Sequence, residues 1–151
     1  MGYLPIYEKE MALWFFHPSA AIADQVAIID ADVFIRDSAP DIFEQSTADF
    51  AGVVEREMPI TAKYAQKLAK HSEGQFRRLE DVDWKWNDRG AEFFNMGVML
   101  LNSSIAKYLD GQTPEQFLRR PEFERFVNGE GHWRRSTDQT LLNWWVKSTN
   151  M

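Results

Sequence analysis

Leu4, Tyr7, Met11, Trp14 and Phe15 recur at three- and four-residue intervals, with Glu8, Lys9 and Glu10 clustered between them. This spacing predicts an amphipathic helix over Leu4 to Phe16 that ends near Pro18. Ser19 to Gln25 reads as a short loop. The run Val26-Ala27-Ile28-Ile29 is apolar, β-branched and uninterrupted, which predicts a buried strand. Ser38, followed by Ala39, Pro40 and Asp41, has the cap residue and first-turn proline of a short helix reaching Phe43. Asp49 to Glu55 has strand character, and Tyr64, Leu68 and the alanines give Ile60 to His71 helical spacing.

Beyond that helix, Ser72 to Glu92 is charged, Trp-bearing and aperiodic, the pattern of a long loop of the kind that often carries function. Phe93 to Asn102 is the second strong apolar run, and Gly97 inside it predicts a bulge or a close approach of backbone or ligand. Ser103 or Ser104 can cap a short helix through Leu109. Thr113-Pro114-Glu115-Gln116 has the cap, proline and following residues that start a helix, with a break at Pro121. Thr137-Asp138-Gln139 opens a last helix in which Leu141, Leu142, Trp144, Trp145 and Val146 are nearly all apolar. Such a helix is either buried on more than one side or has lost a covering partner. Strand, loop and helix alternate as in an α/β domain, and no internal repeat is visible.

Composition narrows the possibilities. A chain of 151 residues suits one domain with a real core. Its 17 basic and 23 acidic residues argue against a broad nucleic-acid surface, although Arg77-Arg78 and Arg134-Arg135 are local anion candidates. The 6 Trp and 11 Phe mostly suit a core, with some available to line a groove for a flat or sugar-like ligand. With no cysteine, disulfides and thiolate chemistry are excluded and a reducing cytosol is permitted. No apolar run approaches the roughly 18 residues of a membrane span, so a soluble, cytoplasmic protein is expected.

The candidate chemistry sits at the end of the first strand, where Asp30-Ala31-Asp32 follows the apolar run. In extended backbone, residues i and i+2 point to one side, so Asp30 and Asp32 can converge on a divalent cation. Alone the pattern is weak, because aspartates also favour turns and caps. Three segments in order make it more specific: Ile-Ile-Asp-Ala-Asp-Val-Phe-Ile, then Phe-Asn-Met-Gly-Val-Met-Leu-Leu-Asn, then Asp-Gln-Thr-Leu-Leu-Asn.

Together these segments resemble the GT-A glycosyltransferases of the glycogenin and lipopolysaccharide-galactosyltransferase type, over about Lys9 to Val146. The resemblance implies a single α/β domain over residues 1–151 with a Rossmann-like mixed sheet flanked by helices. It implies transfer of a sugar from a nucleotide-diphosphate donor to a glycan, lipid-linked or protein acceptor, with Mn²⁺ or Mg²⁺ as cofactor. By position, Asp32 would ligate the metal, Asp30 would contact metal, ribose or donor sugar, and Ala31 between them would belong to the same cofactor-binding segment. Asn95 matches the family's Asn-x-Gly facing sugar or acceptor, Asp138 and Gln139 match the pair lining the donor-sugar pocket, and Lys9 resembles a basic residue that holds donor phosphate. The family also has a strand-helix-strand unit ahead of the Asp-x-Asp strand that clasps the base. Only 29 residues precede Asp30, so a fold incomplete at its nucleotide-binding half is expected. His132 stands upstream of Asp138, out of order for the family's late metal-ligating histidine.

Two other functions compete with glycosyl transfer. An apolar strand followed by Asp-x-Asp is also found in haloacid-dehalogenase-type phosphatases, where the first carboxylate is a nucleophile and the second a general acid. A noncatalytic sugar-nucleotide-binding or assembly module is the other alternative, and exposed Trp144 or Trp145 would give it a surface for self-association.

Overall fold

β1 (Gln25–Ile29) runs antiparallel to β3 (Phe94–Asn102), Gln25 lying opposite Asn102 and Ile29 opposite Val98, in the computed structural model, which describes residues 7–20, 23–129 and 138–151. β2 (Phe50–Val54) flanks β3 on the other side, giving the sheet order β1-β3-β2. Asn102 N–H donates to Asp49 O at 3.0 Å and Glu55 N–H to Phe93 O at 3.0 Å, so β2 is antiparallel to β3 as well. Phe93 to Asn102 therefore faces only Asp49 to Glu55, which gives β3 extra residues within the stretch that contains Gly97. The described fold is α/β with a small, open, antiparallel sheet.

The two apolar runs became strands because neither has helical spacing, and Gly97 in the second does not end it. α1 (Ala62–Phe76) begins where the Thr61 hydroxyl accepts from Tyr64 N–H at 3.2 Å. It continues past His71 because Leu68, Ser72 and Phe76, four residues apart, form one buried stripe. Part of the expected long loop is thus helix, and Ser72 is a buried member of its face. α2 (Pro114–Leu118) starts with the capping box the sequence predicts, Thr113 and Gln116 each accepting from the other's main-chain N–H. A 3-10 turn at Pro121–Phe123 and α3 (Glu124–Val127) follow the break at Pro121.

Other elements differ from expectation. The first helix is a 3-10 helix over Lys9–Phe16, and Leu4 falls outside the described residues. The cap near Pro40 is Asp41 rather than Ser38: its carboxylate accepts from Phe43 N–H at 2.9 Å and opens a 3-10 turn at Ile42–Glu44. Ser104 does not cap the turn at Ser103–Tyr108, because its hydroxyl donates to Asp49 instead.

Chain contacts divide the protein into two units, one comprising the described residues up to Gly52 with Met96–Pro121 and Met151, the other Val53–Asn95 with the described part of Glu122–Asn150. The first has Leu13, Phe16, Met99, Ile105 and Phe117 in its core. In the second, Phe76 sits between Trp84 and Phe93, with ring centroids 4.4 and 5.0 Å away. α4 (Asp138–Ser148) is buried from Thr140 to Val146. Trp144 and Trp145 are 9% and 2% exposed, so neither offers the associating surface expected of them. Trp144 instead donates to Asp81 Oδ2 at 2.9 Å and packs against Phe123 and Phe126. Among the described residues no helix is long and apolar enough to cross a membrane.

Candidate functional site

In the first unit the Asp-x-Asp segment is a turn. β1 stops at Ile29, Asp30 N–H donates to Gly97 O at 2.9 Å, and Val33 N–H returns to Asp30 O at 3.0 Å. The i to i+3 closure replaces the extended backbone on which the same-side argument for Asp30 and Asp32 relied. Asp30 is half-buried, while Ala31 and Asp32 are exposed.

Lys9, at the start of the 3-10 helix, reaches this turn. Its ammonium lies 2.6 Å from Asp30 Oδ1 and donates to Met96 O at 3.0 Å. The side chains are 24% and 37% exposed, so the pair adds little to stability, roughly 0–1 kcal/mol. Its importance is chemical, because a fixed cation already neutralises one of the two aspartates.

The donor set for a metal follows from this. Asp30 and Asp32 are hard oxygen ligands, and a Mg²⁺-type ion can bind through one or two carboxylates while taking its other positions from water and phosphate. Among the described residues, no group of three or more His, Asp or Glu side chains is placed to hold an ion. The residues fit an ion held jointly with a phosphate ligand, and do not fit a preformed protein cage. His132 and Arg134-Arg135 lie outside the described residues. Beside the turn, Ile29, Val33, Phe34, Ile35, Ile42 and Val98 line an open, mainly apolar pocket of about 570 Å³.

The second unit carries the other candidates. Gln139 Nε2 donates to Phe94 O at 3.3 Å, next to Asn95 in β3. Asp138 Oδ1 accepts from Gln139 N–H at 2.8 Å, the local contact of a residue that opens a helix, and Asn95 is half-buried. Asn143, which the sequence placed at the end of the third segment without giving it a role, orders this group. Its Oδ1 accepts from Phe94 N–H at 2.8 Å, and its Nδ2 donates to Phe94 O at 3.0 Å and to Gln139 O at 2.9 Å. A lone amide in Leu-Leu-Asn-Trp-Trp-Val, four residues after Gln139, was the available signal. Thr140 adds a second tie, from its hydroxyl to Gln75 Oε1 at 2.7 Å.

Two further ionic groups are structural. Arg56 is buried and donates to Lys85 O at 2.5 Å and Gly90 O at 3.0 Å, while pairing with Glu92 at 3.3 Å. Burial pushes the Glu92 carboxyl up, but Lys147 and Lys85 beside it bring it below its ordinary value. Arg77, one of the anion candidates, is engaged by Glu73 at 2.8 Å and lies over the Trp86 ring.

Comparison of the chain with protein-family models, curated proteins and solved structures returns no match.

Proposed function

We propose that this chain is a metal-dependent glycosyltransferase of GT-A type, working on a nucleotide-diphosphate sugar. The observation that carries the reading is the Asp30-Ala31-Asp32 turn at the end of an apolar strand, with the Lys9 ammonium 2.6 Å from Asp30. Adjacent carboxylates and a cation suit a ligand that brings both phosphate and a divalent ion. In this reading Asp32, exposed and at the apex of the turn, is the first ligand, and Asp30 joins it. When bound, Mn²⁺ or Mg²⁺ supplies Lewis acidity to the departing diphosphate.

Lys9 adds a second positive charge for phosphate, and the turn backbone at Ala31 leaves the donor room to approach. Asn95, Asp138 and Gln139 are assigned to donor sugar and acceptor. With Gln139 Nε2 held by Phe94 O, its Oε1 is the atom left to accept from a sugar hydroxyl. The finer fold, a Rossmann-like mixed sheet incomplete at its nucleotide-binding half, belongs to the same proposal, as do a glycan, lipid-linked or protein acceptor and a cytoplasmic site of action.

The test is calorimetric titration of a panel of nucleotide sugars with and without Mn²⁺, paired with assay of sugar release. The reading expects metal-dependent binding and release, both lost in Asp32→Ala. Binding without turnover would instead support the noncatalytic module, and release of phosphate from an aryl phosphate would support the phosphatase alternative. Metal-independent binding, or none to any donor, overturns the proposal.

A further inference from the structure

The apolar pocket of about 570 Å³ opens beside the Asp30-Ala31-Asp32 turn, within the first unit. Ile29 and Val33, the residues on either side of that turn, both line it, so whatever fills the pocket lies next to the two aspartates. Its walls are fixed by hydrogen bonds. Ile29 faces Val98 across the β1–β3 ladder, and Ala39 N–H closes a turn on Arg36 O at 2.9 Å. Asp41 caps the 3-10 turn that carries Ile42, and Gln25 Nε2 donates to Phe43 O at 3.4 Å, which ties that turn to β1. A cavity of this size, apolar with a few polar groups, has the build of a ligand site.

The lining has two distinct parts. Apart from Phe34 its apolar side chains carry no aromatic ring, which suits a flexible aliphatic chain better than a flat one. Phe34 and Ile35 are 86% and 61% exposed, so apolar surface continues past the mouth. Among the described residues, Arg36 is the one charged group of the lining, and no Asp or Glu belongs to it. No described residue pairs with the Arg36 guanidinium or bonds the Ser38 hydroxyl, and Asp37, next in sequence, does not engage Arg36. A guanidinium without a counter-charge, two residues from a free hydroxyl, suits a phosphate.

We propose that this pocket takes the aliphatic chain of a phosphate-bearing lipid, whose phosphate meets Arg36 and Ser38. The tail gains by leaving water along the apolar lining, and the head supplies the negative charge that the lining lacks. Neither part suffices alone. Free phosphate leaves the apolar surface wet, and a cationic amphiphile leaves Arg36 facing a like charge. A chain anchored here holds its head group beside the Asp30–Asp32 turn, which selects the lipid-linked acceptor from the glycan, lipid-linked and protein classes. That last step rests on the glycosyltransferase reading; the ligand assigned to the pocket does not.

Calorimetric titration of the full chain with octyl, decyl and dodecyl phosphate, each below its critical micelle concentration, tests the pocket. Inorganic phosphate and decyltrimethylammonium are the controls for head and tail. Affinity should rise by about two- to fourfold per added methylene. Decyl phosphate should bind about three- to fivefold more tightly than decyltrimethylammonium, and inorganic phosphate should not bind at the same concentrations. Arg36→Gln should erase the preference for phosphate and keep the dependence on chain length. Ala39→Trp fills the pocket and should abolish both, with the fold retained by circular dichroism. Should Ala39→Trp fail to fold, Ile35→Asp, at a largely exposed side chain, should weaken every tailed ligand. Affinity independent of chain length overturns the proposal, as does decyltrimethylammonium bound as tightly as decyl phosphate. So does inorganic phosphate bound as tightly as decyl phosphate, or decyl phosphate bound unchanged by a folded Ala39→Trp chain. Tailed phosphates bound by a chain that binds no nucleotide sugar support the pocket and remove the acceptor role. Metal-dependent donor binding without binding of any tailed phosphate overturns the pocket and leaves the transferase standing.

Discussion

Asn143 holds both main-chain groups of Phe94, accepting from its N–H at 2.8 Å and donating to its C=O at 3.0 Å. A side-chain amide thereby takes the place of a neighbouring strand at the first residue of β3. Asn143 is fully buried, so replacing it with leucine takes away the side-chain acceptor of the Phe94 N–H, while Gln139 still reaches the carbonyl. Asn143→Leu should destabilise the protein by about 2–3 kcal/mol in urea denaturation. Asn143→Asp should be worse at neutral pH and partly recover in acid, because burial and two facing carbonyls raise the carboxyl's pKa and the uncharged form is the one tolerated.

Gly90 adopts φ of 99°, and a Cβ added there would lie 2.2 Å from Ser72 Oγ and 3.0 Å from Ala69 Cα. Two costs combine in Gly90→Ala, backbone strain of about 1–3 kcal/mol and a clash that pushes Ser72 from its bond to Ala91 N–H. Removing the hydroxyl as well, in Ser72→Ala with Gly90→Ala, should relieve part of the clash and none of the strain. Thermal denaturation should therefore show the double variant still well below wild type. If Gly90→Ala unfolds with the wild-type midpoint, the turn is not as tight as described.

The strands were legible because β1 is an unbroken apolar run and β3 a mainly apolar one, and the Thr113 to Gln116 start because a capping box is local chemistry. Whatever depended on distant partners was not. Nothing near Ser72 in sequence says that it faces the core; its partner there is Ala91 N–H, nineteen positions on. Trp144 and Trp145 read as an excess of apolar surface because Phe123, Phe126 and Asp81, which cover or bind Trp144, are remote in the chain. At the candidate site, Asp30 and Asp32 stood out through residue type and position. Their backbone did not, because a turn closed by Val33 and an extended run have the same residue spacing.

Asp49 provides a pH signature. Its carboxylate pairs with Lys107 at 2.7 Å and accepts from the Ser104 hydroxyl and from Tyr108 Oη at 2.9 Å. The Lys107 ammonium, then the Ser104 hydroxyl, hold its pKa down to about 2. A lowered folded-state pKa gives stability that is present above the unfolded value, about 3.9, and lost as pH falls through the folded one. Wild type should therefore lose stability between about pH 4 and pH 2 more steeply than Asp49→Asn. Parallel melting profiles of the two proteins across that range would refute the ion pair's contribution.

Lys9 and Asp30 allow the last prediction, which separates a structural ion pair from a functional one. The ammonium occupies a position between two oxygens, Asp30 Oδ1 at 2.6 Å and Met96 O at 3.0 Å, that would otherwise attract a cation. In Lys9→Met, Asp30 loses its counter-charge while the fold should lose less than about 1 kcal/mol, since both side chains are partly exposed. Mn²⁺ added without nucleotide should then bind more tightly, by about tenfold, equivalent to about 1.4 kcal/mol. A nucleoside diphosphate added with Mn²⁺ should bind more weakly, because the positive charge assigned to its phosphate is gone. The two affinities moving in opposite directions is the distinctive result. If both are unchanged, Lys9 serves only to fasten its helix to the turn, and the phosphate role is excluded.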